Sequence, residues 1–250
     1  MKFEIFGGNL QFVKVYISQG EEIYAEAGKM MFKSSNVNME TRMTSQSTKD
    51  LLKDVLTRTI TGESIFMTYF TCYDKEGYVA FAGDFPGKIQ AIELKPGISF
   101  IAQRDAFICA ESRVKFGITF QKKVGPAFFG GEGFILEKFT GPGTVFIHAG
   151  GDFYEIDLKE NEKIHIDTGC IVGFEETVDY DVEFVKDIKT AIFGGEGLFL
   201  ATLTGPGKII LQSMTLARLR RELGGFGLKK GGGEKFGLGG LLGGILGSED

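Results

Sequence analysis

Apolar and polar residues alternate along much of the chain. In VKFGITF (Val114 to Phe120) and in VDYDVEF (Val178 to Phe184) apolar residues recur at every second position. Successive side chains of a strand point to opposite faces, so this period predicts strands with one face in a core. The two segments lie 64 residues apart, and the same offset carries FFGGEGFILEKFTGPGTVFI (Phe128 to Ile147) onto IFGGEGLFLATLTGPGKIIL (Ile192 to Leu211). A diverged third copy lies upstream. VNMETRM (Val37 to Met43) matches VKFGITF at an offset of 77, and GESIFMTYFT (Gly62 to Thr71) matches GEGFILEKFT at an offset of 69. The difference of 8 is an insertion between Met43 and Gly62, where TKDLLKDVL places Leu51, Leu52, Val55 and Leu56 on one helical face behind Ser47 and Thr48 as caps.

The pattern predicts an all-β fold of three degenerate repeats, with one short inserted helix at about 48–58 and one C-terminal helix. The divisions are 1–94, 95–158, 159–223 including the terminal helix, and a glycine-rich tail over 224–250. The helix is read from SMTLARLRREL, where Leu216, Leu219 and Leu223 share a face and Gly224 provides a stop. Beyond it, 12 glycines in 27 residues oppose helix and predict a flexible tail. Four of the five prolines precede glycine, at Pro86-Gly87, Pro96-Gly97, Pro142-Gly143 and Pro206-Gly207, the pairing that a type II turn requires. FILEKFT and LFLATLT carry apolar residues on both faces: Phe134 and Leu136 against Ile135 and Phe139, Leu198 and Leu200 against Phe199 and Leu203. Strands of this kind are covered twice, within a sandwich and by another copy or subunit, so a homo-oligomer is expected.

Composition narrows the function. No apolar run is long enough to span a bilayer as a helix. A net charge of -5 and a pI near 5.3 give no general attraction to nucleic acid. Cys72, Cys109 and Cys170 form neither a paired set nor a C-x-x-C motif, which predicts reduced, buried thiols. MKFEIFGGNL has neither a signal-peptide nor a transit pattern, and a cytoplasmic location is expected.

The FGGEG loops test a phosphate-cradle reading and fail it. Gly131-x-Gly133 is followed by Leu136 where a third glycine belongs, no Lys-Ser or Lys-Thr follows, and the next residues continue as strand. Gly62, Glu63, Gly131, Glu132, Gly133, Gly195, Glu196 and Gly197 therefore read as structural loops of the repeat, joined by the turns at Pro142, Gly143, Pro206 and Gly207. Recurrence of Glu63, Glu132 and Glu196 at one position favours a geometric role. The two histidines, His148 and His165, are too few for a clustered metal site, and His148 stands where the other copies have Ala82 and Gln212. No serine or cysteine nucleophile motif occurs. No catalytic residue, metal or cofactor is expected.

Residues EAGKMM (Glu26 to Met31), GESIF (Gly62 to Phe66), GEGF (Gly131 to Phe134), GEGLFL (Gly195 to Leu200) and TGPGKIILQS (Thr204 to Ser213) resemble the altered-inheritance-of-mitochondria (mitochondrial biogenesis) family. The likeness runs from about Glu4 to Leu223 and points to its prokaryotic branch of unknown function. It implies β-sandwich units like those of the tryptophan RNA-binding attenuation protein, assembled as a homo-oligomer with a trimer favoured, and no established enzymatic activity. Mitochondrial members are linked to inner-membrane organisation, but this chain has no transit pattern to carry that role. The expected function is a non-catalytic oligomeric β scaffold or binding protein, with its partner protein unnamed by the sequence. One alternative is RNA binding through Arg218, Arg220, Arg221, Lys229 and Lys230. Another is peripheral membrane contact through the Gly/Leu tail.

Overall fold

The computed structural model describes residues 1–43, 66–122, 134–184 and 199–227. Its strands are β1 (Lys2–Phe6), β2 (Phe12–Ser18), β3 (Glu22–Glu26), β4 (Met30–Lys33), β5 (Val37–Met43), β6 (Phe66–Cys72), β7 (Glu76–Ala82), β8 (Gly87–Leu94), β9 (Ser99–Gln103), β10 (Phe107–Glu111), β11 (Lys115–Lys122), β12 (Phe134–Thr140), β13 (Gly143–Gly150), β14 (Phe153–Leu158), β15 (Lys163–Asp167), β16 (Ile171–Glu175), β17 (Asp179–Phe184), β18 (Phe199–Thr204) and β19 (Gly207–Gln212). Among the described residues one α-helix, α1 (Leu216–Gly227), follows. The fold is all-β. Met1–Leu216 forms one compact unit and Ala217–Asp250 a second.

The strands make four antiparallel sheets. In order of hydrogen bonding these are β1-β2-β7-β4, β5-β6-β3-β10-β13-β8, β11-β12-β9-β16-β19-β14 and β15-β18-β17. They stack with an apolar layer in each gap. Val13, Val15, Val79 and Phe81 of the first sheet meet Ile23, Phe70 and Phe146 of the second. On its other face the second sheet offers Tyr24, Phe107 and Ile147 to Phe100, Phe139 and Ile210 of the third. The third then offers Ile101, Leu136 and Ile209 to Ile166, Ala201 and Leu203 of the fourth. Each fully buried large side chain contributes about 1.5–3 kcal/mol, so these layers dominate the stability of the fold.

The stacking explains the doubly apolar strands. Leu136 and Phe139 of β12 lie in different layers, one on each side of the third sheet. Its second cover is therefore another sheet of the same chain rather than another subunit. β18 is covered once: Ala201 and Leu203 are buried while Leu200 on its other face is 36% exposed.

One local irregularity recurs. β4 on β7 slips between Met30 and Phe32, β10 on β13 between Phe107 and Cys109, and β16 on β19 between Ile171 and Gly173. An extra residue at each place is a β-bulge, which bends the strand and adds twist.

The turns depart from expectation in part. Lys95 to Ile98 closes as predicted, with Ile98 N–H donating to Lys95 O at 3.0 Å and Gly97 at φ +77. The Gly141-Pro142 and Gly205-Pro206 bonds, in contrast, are cis, so those turns are not type II. Gly143 (φ +138) and Gly207 (φ +143) nonetheless need glycine, because a Cβ at either would lie 2.8 Å from Val114 or Val178 Cγ2. The terminal helix also runs past its expected stop at Gly224 to Gly227. A glycine costs about 1 kcal/mol in a helix but does not forbid it. The expected helix at about 48–58 lies outside the described residues.

Candidate functional site

The GEG loops singled out from the sequence fall in the three connections from β5 to β6, β11 to β12 and β17 to β18. Gly62, Glu63, Gly131, Glu132, Gly133, Gly195, Glu196 and Gly197 lie outside the described residues, as do Lys229 and Lys230. Arg218, Arg220 and Arg221 belong to α1, where Arg221 Nε stands 3.8 Å from Glu222 Oε1. Both partners are more than half exposed, so the pair adds little. Pro142 and Pro206 lie in the tight turns that lead into β13 and β19.

A carboxylate role that recurs does exist, at positions to which the repeat motifs do not point. Glu111 ends β10, and its Oε1 accepts hydrogen bonds from Thr144 N–H at 3.2 Å and Thr144 Oγ1 at 3.0 Å. Glu175 ends β16 and accepts from Lys208 N–H at 3.0 Å. The corresponding place after β4 holds Ser34, whose Oγ accepts from Tyr78 N–H at 3.0 Å. Each ties one strand end to the residue just beyond the neighbouring turn. Burial pushes the Glu111 carboxyl up, but Arg113, Thr144 and the N-terminal ammonium outweigh burial and hold it below the ordinary carboxylate range. Change of residue type from Glu to Ser hides this role in the sequence.

A second group has no counterpart elsewhere among the described residues. Lys29 is 4% exposed, and its Nζ lies 3.3 Å from Glu26 Oε2 and 2.5 Å from Asp84 Oδ2. Arg104 Nε is 3.5 Å from Glu26 Oε1. Burial draws the Lys29 ammonium down, yet Glu26 and Asp84 prevail and keep it cationic. Nearby, Glu137 of β12 is 2% exposed, faces Ala102 on one side and Ile118 on the other, and has an Oε2 with no hydrogen-bond partner among the described residues. Burial, reinforced by the Glu26 carboxylate, raises its acid well above the ordinary range, so it keeps its proton where exposed carboxyls have lost theirs. His148 of β13 is also 2% exposed, packs edge-on to Phe85 and leaves Nδ1 unpartnered. Burial first, then the Lys29 ammonium, lowers its pKa to about 4 and keeps it neutral. The group holds charge inside a core, and among the described residues it presents no nucleophile and no assembled metal-ligand set.

The second histidine is separate. His165 Nδ1 lies 3.0 Å from Thr202 Oγ1 on the outer face of the fourth sheet. Asp181 stands opposite Thr202 on the far strand. Cys72 and Cys109 are buried thiols, whereas Cys170 is half-buried, more open than the sequence suggests. No helix among the described residues is long and apolar enough to cross a membrane.

A row of aromatic rings lies on the outer face of the first sheet. Phe6 and Phe12 stack at 5.0 Å between ring centroids, Phe12 meets Phe32 at 6.3 Å, and Phe32 meets Tyr78 at 6.2 Å. Tyr16 closes the row beside Tyr78. Lys14 Nζ sits 4.1 Å from the Tyr78 ring centre, and Lys2 Nζ 4.5 Å from that of Tyr16. Phe32 is 43% exposed. No sequence signal marks this row, since its rings come from β1, β2, β4 and β7, which meet only in the folded sheet.

Known proteins place the chain. An uncharacterized protein of Streptococcus pyogenes serotype M6 is 28% identical over 228 residues, 89% of this chain and 90% of that one. A crystal structure of a Streptococcus pyogenes protein from a structural genomics programme superposes with a TM-score of 0.73 at 24% identity, covering 90% of this chain and 99% of its own, and so shares the fold. The model of the family described as mitochondrial biogenesis AIM24 matches residues 3–214, nearly the whole β body, and the chain belongs to that family.

Proposed function

We propose that this protein is a non-catalytic β scaffold that works as a homo-oligomer, with three chains as the assembly, in the cytoplasm. The observation that carries the reading is the incompleteness of its terminal sheets. Strands six apart in the chain occupy corresponding places: β5-β6-β3, β11-β12-β9 and β17-β18-β15 form one kind of half-sheet, and β4-β7-β2, β10-β13-β8 and β16-β19-β14 form the other. We take each set of six as one unit, beginning at β2, β8 and β14, because β8 and β14 hydrogen-bond forward to β13 and β19. The two interior sheets each join a half from one unit to a half from the next. The first and last sheets each hold one half, and β4 and β15 stand at the edges where the other half belongs.

An edge strand with unpaired N–H and C=O groups invites pairing, and natural proteins cover or blunt such edges. Self-association meets that need. The neutral His148 and the proton-bearing Glu137, with no oriented nucleophile beside either among the described residues, favour a structural over a catalytic role. Multi-angle light scattering at micromolar concentration tests the reading. A mass about three times the 27.4 kDa chain is expected, and a monomer overturns it.

A further inference from the structure

We infer that β4 of one chain pairs antiparallel with β15 of a second copy in a single register, with Phe32 opposite Ile166 and Lys33 opposite His165. This rests on the oligomeric reading above and adds the surface and its alignment.

The two junctions inside the chain supply the register. Where β3 meets β10, Ala25 stands opposite Cys109 and Tyr24 opposite Ala110. Where β9 meets β16, Ala102 stands opposite Gly173 and Ile101 opposite Phe174. The second pair of residues follows from the first by adding 77 on one strand and 64 on the other. The same offsets relate the strands in their other pairings. Glu22, Ser99 and Lys163 are paired to Thr71, Thr140 and Thr204, which stand at equivalent places in the neighbouring strands. Met30, Phe107 and Ile171 each precede the bulge. Taking β4 for β10 and β15 for β9 gives Phe32 against Ile166 and Lys33 against His165. Neither β4 nor β15 has a partner on that side among the described residues.

The faces agree with the edges. Residues paired across an antiparallel junction share a face. Ile166 lies in the apolar layer between the third and fourth sheets, so Phe32 would extend that layer. The layer ends openly on the third sheet, where Ile156 and Leu211 are half-buried and Tyr154, opposite Leu211, is 65% exposed. Phe32 belongs to the aromatic row on the outer face of the first sheet, which has no cover among the described residues. Joining the two copies at β4 and β15 sets that row over Ile156, Leu211 and Tyr154. Open apolar surface at one end of the chain thereby covers open apolar surface at the other. The contact is heterologous, so copies joined in this way close into a ring or extend as a filament.

Paired cysteines test the register. Directly opposed strand residues have Cα atoms about 4.5–5.5 Å apart, within disulfide reach. Lys33→Cys with His165→Cys, in a Cys170→Ser background, is expected to give chains linked in series on a non-reducing gel after mild oxidation. The single variants, and Lys33→Cys with Ile166→Cys, which asks for a slip of one residue onto the opposite face, are expected to stay unlinked. An oligomeric mass without cross-linking of the first pair overturns this register while leaving the assembly standing. A monomeric mass overturns both. Phe32→Glu, on a 43% exposed residue outside the buried layers of the chain, is expected to shift the mass to that of the monomer. An unchanged mass overturns the placement of the aromatic row.

Discussion

Glu137 and His148 put opposite slopes on the dependence of stability on pH. The raised acid of Glu137 means that the folded chain holds this proton more tightly than the unfolded one, so its contribution is full below the ordinary carboxylate range and is lost as pH rises through the folded value. His148 works the other way. With its pKa lowered to about 4, the folded state refuses a proton that the unfolded chain accepts near 6.5, and stability is lost as pH falls across that window. The full loss is on the order of 3 kcal/mol. Two variants separate the effects in urea titrations across the acid-to-alkaline range. Glu137→Gln is expected to remove the decline that accompanies rising pH. His148→Gln follows the example of Gln212, which bridges Gly150 N–H and Gly169 O, and is expected to remove the decline on the acid side. Glu111→Ala removes the acceptor of two hydrogen bonds from Thr144 and should cost about 1–3 kcal/mol at neutral pH. Because the Glu111 carboxyl is depressed, that cost should shrink as pH falls through the ordinary carboxylate range and below it.

Elements are legible where alternation is strong and obscure where one position changes chemistry between units. VKFGITF and VDYDVEF read as strands and are strands, β11 and β17, because their period of two has no helical alternative. The end-of-strand acceptors leave no motif because Ser34, Glu111 and Glu175 share a role but not a residue type. Glu137 stands between Ile135 and Phe139 on one of the two apolar faces of that strand, and its burial follows from the cover expected of that face. Its companions Lys29 and Arg104 carry no such signal, since they come from other elements and have no charged counterparts at equivalent places. The glycine after each cis proline makes a firm prediction at this scale. Gly143→Ala must accept φ +138 and displace Val114, so a loss of about 1–3 kcal/mol is expected, whereas Gly20→Ala, also at positive φ but with open space around it, should lose less. Thermal unfolding of the two variants compares them directly.

At the scale of the molecule, the stack explains why a single chain looks oligomeric in sequence. Two of its four sheets are covered on both faces by their own neighbours, which reproduces internally the signature of a subunit interface. What the sequence could not show is that the same construction stops short at each end, because an unpaired edge is a property of topology rather than composition. Loss of the assembly should therefore depend on the end strands and not on the tail. Deleting residues 225–250 is expected to leave the number of chains per particle unchanged in light scattering, and dissociation on deletion would move the interface to the tail.

The connections from β5 to β6, β11 to β12 and β17 to β18 span 22, 11 and 14 residues, yet the strands they join start their pairing alike, Asn38 with Thr71, Lys115 with Thr140 and Asp179 with Thr204, and only the second slips, by one residue past Ile118. The entropic cost of closing a connection grows by only about 0.6 kcal/mol for each doubling of its length. These three sites are thus where the protein can take up new sequence by insertion while the far ends of the hydrogen-bonded ladders keep their pairing. A lineage, or an engineer, wanting to change what this framework presents has three ports for doing so, and the chain has already used the first.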